Sequence, residues 1–218
     1  MTSVSEQLDV TDTDTTNTIN TMAAIVTTST ATDRTTAGHL ARVSAVLPDL
    51  FISDITAARS PAVLALLGVT HLVDASDAQG GEVPGVARLE CRVADSAVVD
   101  LAPHLATSHA FLAVARAAGG VVLVHCLCGV SRSPAMVLHH LLRTGATLAD
   151  AWRLVRDARP VACPNIGFWR ILMEVEREER GQVSVGEEEV RRRSRGGGGE
   201  ARRALDKLDA KNAWCSFL

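Results

Sequence analysis

The stretch Val121-Val-Leu-Val124-His125-Cys126-Leu127-Cys128-Gly129-Val130-Ser131-Arg132-Ser133-Pro134 decides the fold and carries the chemistry. Its first four residues are wholly apolar and mostly β-branched, which suits a central parallel strand buried on both faces. A polar, glycine-containing loop follows, and then Pro134 to Arg143 reads as a helix ended by Gly145. A strand–loop–helix junction aims backbone N–H groups into the loop, and the helix N-terminus adds partial positive charge. Gly129 supplies the backbone freedom that a tight cradle needs. Such a loop can hold a phosphate.

Outward from this junction the chain alternates strands and helices. Val43 to Val46 and Leu50 to Ser53 read as two short strands around a Pro48-Asp49 turn. Ala57 to Leu67 reads as one helix stopped by Gly68, and Val69 to Val73 and Val86 to Val93 read as strands. Leu101 to Ala118 reads as a helix ended by Gly119 and Gly120. Thr147 and Asp150 have the spacing of a capping box that opens a helix to about Ala158. Pro160 and Pro164 mark a loop, and Ile166 to Arg180 is the last core helix. The pattern predicts an α/β fold, a mostly parallel central sheet flanked by helices.

Within the loop, Arg132 lies six positions after Cys126. A loop wrapped around one anion brings both ends to it. The guanidinium then donates two parallel hydrogen bonds to phosphate oxygens and balances charge in the transition state. The same positive surroundings favour the thiolate, the form that attacks phosphorus. The chemistry needs two steps. Cys126 displaces the substrate oxygen and becomes phosphocysteine, and water then hydrolyses it. The first step needs an acid and the second a base, and one carboxylate serves both. Ser133 is placed to donate to the departing thiolate. His125 orients the loop from behind.

The segment HCxxGxSRS, His125 to Ser133, resembles the phosphate-binding loop of the dual-specificity phosphatases in the cysteine-based protein tyrosine phosphatase superfamily. The resemblance covers roughly residues 42 to 180. It includes Leu50-Phe51-Ile52-Ser53, Val93-Ala-Asp95 followed by Asp100-Leu101, Ala158-Arg-Pro160, and Pro164-Asn165-Ile-Gly-Phe-Trp169. The size of this domain is similar to that of the small atypical members.

The resemblance implies a protein tyrosine phosphatase-like fold of the dual-specificity type and the activity of a dual-specificity protein tyrosine/serine/threonine phosphatase. It makes Asp95 the acid, with Asp100 as a helix cap and Asp77 on another loop as the weaker candidates. It puts Leu127, Cys128, Gly129, Val130, Ser131 and Arg132 around the phosphate, and makes Asn165 a brace for the loop. Asp74 stands where the family often has asparagine, which puts one supporting hydrogen bond in question. No residue among Leu127, Cys128 and Val130 is basic, whereas relatives acting on inositol phospholipids often carry lysines there. The expected substrates are therefore phosphorylated protein side chains. An RNA or lipid phosphatase, or a catalytically weak phospho-binding module, is the alternative.

Composition narrows the remaining classes. The chain has 218 residues, 47% of them hydrophobic, and a formal net charge of -3. That charge offers no basic field for nucleic acid. No apolar run reaches the roughly 18 residues of a membrane span. The five cysteines, Cys91, Cys126, Cys128, Cys163 and Cys215, are odd in number and irregularly spaced, unlike a secreted disulfide framework. They predict a reducing, cytoplasmic setting, with a nuclear location left open by the arginine run 191–195. No second metal-ligand pair accompanies Cys126 and Cys128, so neither metal nor other cofactor is expected.

Cys91 or Cys128 is a candidate partner for a reversible disulfide with oxidised Cys126. Residues 1–37 are rich in Thr, Ser, Asp and Asn and read as a disordered tail, 38–181 as the catalytic domain, and 182–218 as a charged Gly/Arg-rich tail. The final Cys215-Ser-Phe-Leu218 formally fits a prenylation box.

Overall fold

A computed structural model of the chain describes residues 34–78 and 81–186, together with Glu188 and Val190. The order is α1 (Arg34–Leu40), β1 (Ser44–Leu47), β2 (Leu50–Ser53), α2 (Ile55–Ala58), α3 (Pro61–Leu66), β3 (His71–Asp74) and β4 (Ala87–Glu90). Then come α4 (Ala102–Ala117), β5 (Val122–His125), α5 (Arg132–Arg143), α6 (Leu148–Ala158) and α7 (Ile166–Arg180). The strands form one sheet in the order β1-β2-β5-β3-β4. Only β1 with β2 is antiparallel; β2, β5, β3 and β4 run parallel. The apolar run of the opening stretch is thus the middle strand, fully buried from Val122 to His125.

Successive side chains of a strand face opposite ways, so each central strand feeds two cores. Leu50, Ile52, Val73, Val122 and Val124 face the larger one, with α4 to α7. Phe51, Leu72 and Leu123 face the smaller one, with Ala58, Leu64 and Val69. In the larger core Trp152 and Trp169 meet edge to face, 5.0 Å between centroids, a contact worth about 0.5–1.5 kcal/mol beyond area burial. Every residue of α5 from Arg132 to Leu142 is buried, and α4, α6 and α7 pack around it.

Two elements differ from the sequence expectation. The helix expected over 57–67 is two short helices. Asp54 caps the first, accepting from Ala57 N–H at 2.9 Å, and Ser60 caps the second, accepting from Val63 N–H at 3.4 Å. Pro61 is the reason: it lacks an N–H for a helix interior and is suited to a first position. Helix α5 starts at Arg132 rather than at Pro134. The first N–H groups of a helix have no intrahelical acceptor, so a proline at the third position costs nothing there. Arg132 and Ser133 therefore ride on a rigid, buried helix.

The described residues extend past 38–181 at both ends. Helix α1 begins at Arg34 and is anchored by buried Leu40, packing on α2 and α3. Val185 and Val190 join the larger core. The buried carboxylate of Glu176 accepts from Ser184 Oγ–H and Ser184 N–H, and from Leu148 N–H at 2.7 Å. Residues 1–33, the arginine run 191–195 and Cys215 lie outside the described residues.

Candidate active site

The loop between β5 and α5 is held by its carbonyl groups. The Leu127 carbonyl accepts from Ile55 N–H at 3.1 Å, and the Val130 carbonyl from Cys163 N–H at 2.7 Å. Arg159 supplies the two between: Nη2 donates to the Cys128 carbonyl at 3.2 Å and Nε to the Gly129 carbonyl at 2.5 Å. In a planar trans peptide the N–H points opposite to the carbonyl. Four carbonyls tied outward thus turn the N–H groups of residues 128 to 131 toward the inside of the loop. Gly129 is the directly observed case: its N–H donates to Cys126 Sγ at 3.2 Å.

Gly129 has φ +68°, and a Cβ there would lie 2.4 Å from Arg159 Nη2 and 2.6 Å from the Ser53 carbonyl oxygen. Both the left-handed backbone and the close approach of Arg159 require glycine. In the sequence Arg159 stands out only as part of a family-like segment. Its buried guanidinium also donates from Nη1 to the Arg42 carbonyl at 3.0 Å and to Ser44 Oγ at 3.2 Å. One side chain thus joins α6, the start of β1 and the loop.

Cys126 is buried at the floor of the loop. Besides Gly129 N–H, the Ser133 hydroxyl donates to its sulfur at 3.3 Å. These two donors, with the N-terminus of α5, make a seat for negative charge on sulfur and on a bound oxyanion. Behind the loop, His125 Nδ1 donates to the Cys126 carbonyl at 3.3 Å, and Nε2 lies 3.5 Å from Asp74 Oδ1. Burial pushes the His125 imidazole below its ordinary range, against the pull of Asp74. Burial likewise opposes ionisation of Asp74, but His125, two hydrogen bonds from Ser76 and the Arg88 guanidinium outweigh it and hold the carboxyl low. The aspartate in an asparagine's usual place is therefore charged and paired, and it accepts from Ser76 N–H at 2.9 Å.

The wall opposite comes from the loop after β4. Asp95 Oδ1 accepts from Ser131 Oγ–H at 2.6 Å and from Asn165 Nδ2–H at 2.8 Å. Its Oδ2 lies 3.8 Å from Arg132 Nε. With Oδ1 saturated by two donors, Oδ2 is the oxygen available to carry a proton. Asn165 works in three directions. Its Nδ2 orients Asp95, its Oδ1 accepts from Phe168 N–H at 3.1 Å to cap α7, and its backbone N–H donates to Ser131 Oγ at 3.1 Å. The brace expected of Asn165 thus reaches the loop through its backbone, while its side chain holds the carboxylate.

Gly167, also unassigned from sequence, lets this wall close in. A Cβ there would sit 2.1 Å from the Ala97 carbonyl oxygen. Asp100, a weaker acid candidate, accepts from Ala102 N–H at 2.9 Å and serves the first turn of α4. Asp77, the other, pairs with Arg132 Nη1 at 3.1 Å.

The geometry is that of an amide-lined cup with a sulfur at its base, a guanidinium at one edge and a carboxylate above. A family model described as the dual specificity phosphatase catalytic domain matches residues 50–178. The chain belongs to the dual specificity phosphatases. It is 44% identical to human dual specificity phosphatase 28 over 133 residues, 60% of this chain and 76% of the relative. It is 37% identical to human dual specificity protein phosphatase 22 over 135 residues, 62% and 73% of the two chains. The crystal structure of human DUSP28 superimposes with a TM-score of 0.61 at 40% identity, covering 64% of this chain and 95% of that one. This phosphatase is accordingly an atypical dual-specificity enzyme of the protein tyrosine phosphatase superfamily, and phosphoproteins are its substrate class.

Among the described residues Cys91, Cys128 and Cys163 form no disulfide. Burial, with Asp74 nearby, pushes the Cys91 thiol up to about 11. A thiol so rarely ionised is a poor nucleophile toward an oxidised sulfur, which weighs against Cys91 as a redox partner of Cys126. Among the described residues no helix is long and apolar enough to cross a membrane.

Proposed function

We propose that this phosphatase hydrolyses phosphotyrosine and phosphoserine or phosphothreonine on proteins through a phosphocysteine on Cys126. The observation that carries the reading is the convergence on one sulfur of the Gly129 N–H at 3.2 Å and the Ser133 hydroxyl at 3.3 Å, at the N-terminus of a buried helix. In the first step Sγ forms a bond to phosphorus as the bond to the substrate oxygen breaks. Asp95 gives its Oδ2 proton to that oxygen. The equatorial oxygens are received by the inward N–H groups and Arg132. In the second step Asp95 takes a proton from water, the water oxygen bonds to phosphorus, and the S–P bond breaks. Ser133 donates to the leaving thiolate, and inorganic phosphate departs.

Leu127, Cys128 and Val130 bring no cation to the cup, which supports a singly phosphorylated side chain over a multiply phosphorylated headgroup. Full-length chain carrying Cys126→Ser with Asp95→Ala is expected to retain phosphoproteins from a cell extract and to release them to vanadate. The unsubstituted chain should release phosphate from phosphotyrosyl and phosphothreonyl peptides faster than from phosphoinositides or RNA 5′-phosphates. The reverse ranking would replace this reading with the lipid or RNA alternative.

A further inference from the structure

Arg132 meets carboxylates from two different loops. Asp77, on the segment after β3, takes Nη1 at 3.1 Å, and the Val93 carbonyl accepts from the same nitrogen at 2.9 Å. On the opposite side, Nε is buried and has no hydrogen-bond partner among the described residues. Asp95 is 3.8 Å from it. The two partners differ sharply in setting: the Arg132 side chain is 6% exposed and that of Asp77 is 68% exposed.

A guanidinium presents its donors as a rigid planar fork. Once Nη1 is held by two acceptors, the edge left for bidentate binding of an oxyanion is Nε with Nη2. The geometry points to Asp77 as a positioning residue for the phosphatase reaction: its carboxylate clamps the outer nitrogen of Arg132 and so turns the Nε edge toward the phosphate. This rests on the phosphatase reading above and assigns a role that the acid, the nucleophile and the loop do not cover. The Arg132 hydrogen bond, with the help of its charge, holds the Asp77 carboxyl below the usual carboxylate range, so the clamp stays charged at neutral pH.

The sign of the effect separates positioning from bulk electrostatics. An exposed carboxylate near a bound phosphate dianion repels it, so removing Asp77 by charge alone would tighten oxyanion binding. Loss of a clamp weakens it. An exposed ion pair adds little to stability, so the substitution should leave the fold intact.

The test is steady-state kinetics of the full chain on an aryl phosphate, with competitive inhibition by inorganic phosphate as the second readout. In Asp77→Ala, KM and the inhibition constant for phosphate are expected to rise together by roughly three- to tenfold, the scale of a partly screened charge-assisted hydrogen bond. The melting temperature should stay in place. If Asp77→Ala lowers the melting temperature, the near-isosteric Asp77→Leu, which offers Arg132 no acceptor, provides the same readouts, with the same rise in both constants expected. Unchanged or tighter phosphate binding in these variants, with normal turnover by the unsubstituted chain, overturns the clamp and leaves the phosphatase reading standing. Absence of turnover by the unsubstituted chain overturns both.

Discussion

Gly167→Ala is expected to disable the acid step without touching the carboxylate. The new Cβ would sit 2.1 Å from the Ala97 carbonyl oxygen and 2.6 Å from its carbon. Ordinary contact is about 3.5 Å, so something must move by about 1 Å. Helix α7 is pinned by buried Phe168, Trp169 and Leu172, and the loop after β4 must give instead. Asp95 lies two residues before Ala97, and its Oδ1 hydrogen bonds of 2.6 Å and 2.8 Å do not survive such a shift. A misplacement of about 1 Å costs on the order of 100-fold in rate.

The assay is kcat/KM on two substrates. An alkyl phosphate, whose leaving oxygen needs a proton, should lose about 100-fold. An activated coumarin phosphate, whose leaving oxygen does not, should lose less than about threefold. Alanine favours a helix by up to about 1 kcal/mol over glycine, so the fold should remain stable. Unchanged alkyl phosphate hydrolysis, or an equal loss on both substrates, would refute the link between Gly167 and the acid.

Two further outcomes follow from other contacts. Arg159→Lys keeps the charge but not the fork that spans the Cys128 and Gly129 carbonyls, so kcat/KM should fall on the order of tenfold or more, with weaker phosphate inhibition; kinetics equal to those of the unsubstituted chain would contradict the brace. His139 and His140, buried between α4 and α5, are pushed down to about 4 from an ordinary 6.5, by burial first and then by neighbouring His109, Arg116 and Arg143. The unfolded chain then binds more protons than the folded one across that window. Stability is full above about pH 6.5 and falls as pH drops toward 4. Thermal melts from pH 8 to 4 should show the decline, and His140→Gln should flatten it; parallel curves would contradict the assignment.

The fold was legible where local pattern and tertiary demand agreed. The run Val121 to Val124 reads as a buried strand because nothing but a two-faced core accepts four such residues in a row. The Thr147–Asp150 spacing is a cap in the structure, with Asp150 N–H donating to Thr147 Oγ at 3.1 Å. Helix α1 is not legible in the sequence because Arg34-Thr-Thr-Ala-Gly-His-Leu40 has one apolar anchor and a tail-like composition. It exists by packing, not by periodicity.

The same division runs through the site. Cys126, Arg132 and Ser133 share one short segment and could be read together. Arg159 reaches the loop across 30 residues, Asp77 reaches Arg132 across 55, and Asn165 reaches Asp95 across 70. No spacing rule encodes such contacts. Gly167 is harder still, because its function is the absence of a side chain where another segment's backbone passes.

The central claim is that the sulfur of residue 126 takes the phosphoryl group. Rapid acid quench during turnover of an aryl phosphate, followed by mass analysis of the peptide spanning the loop, tests it most directly. The account predicts one phosphoryl group on Cys126 during turnover, longer-lived in Asp95→Asn, and no hydrolysis by Cys126→Ser. Turnover with no phosphorylated cysteine, or hydrolysis undiminished in Cys126→Ser, would contradict it.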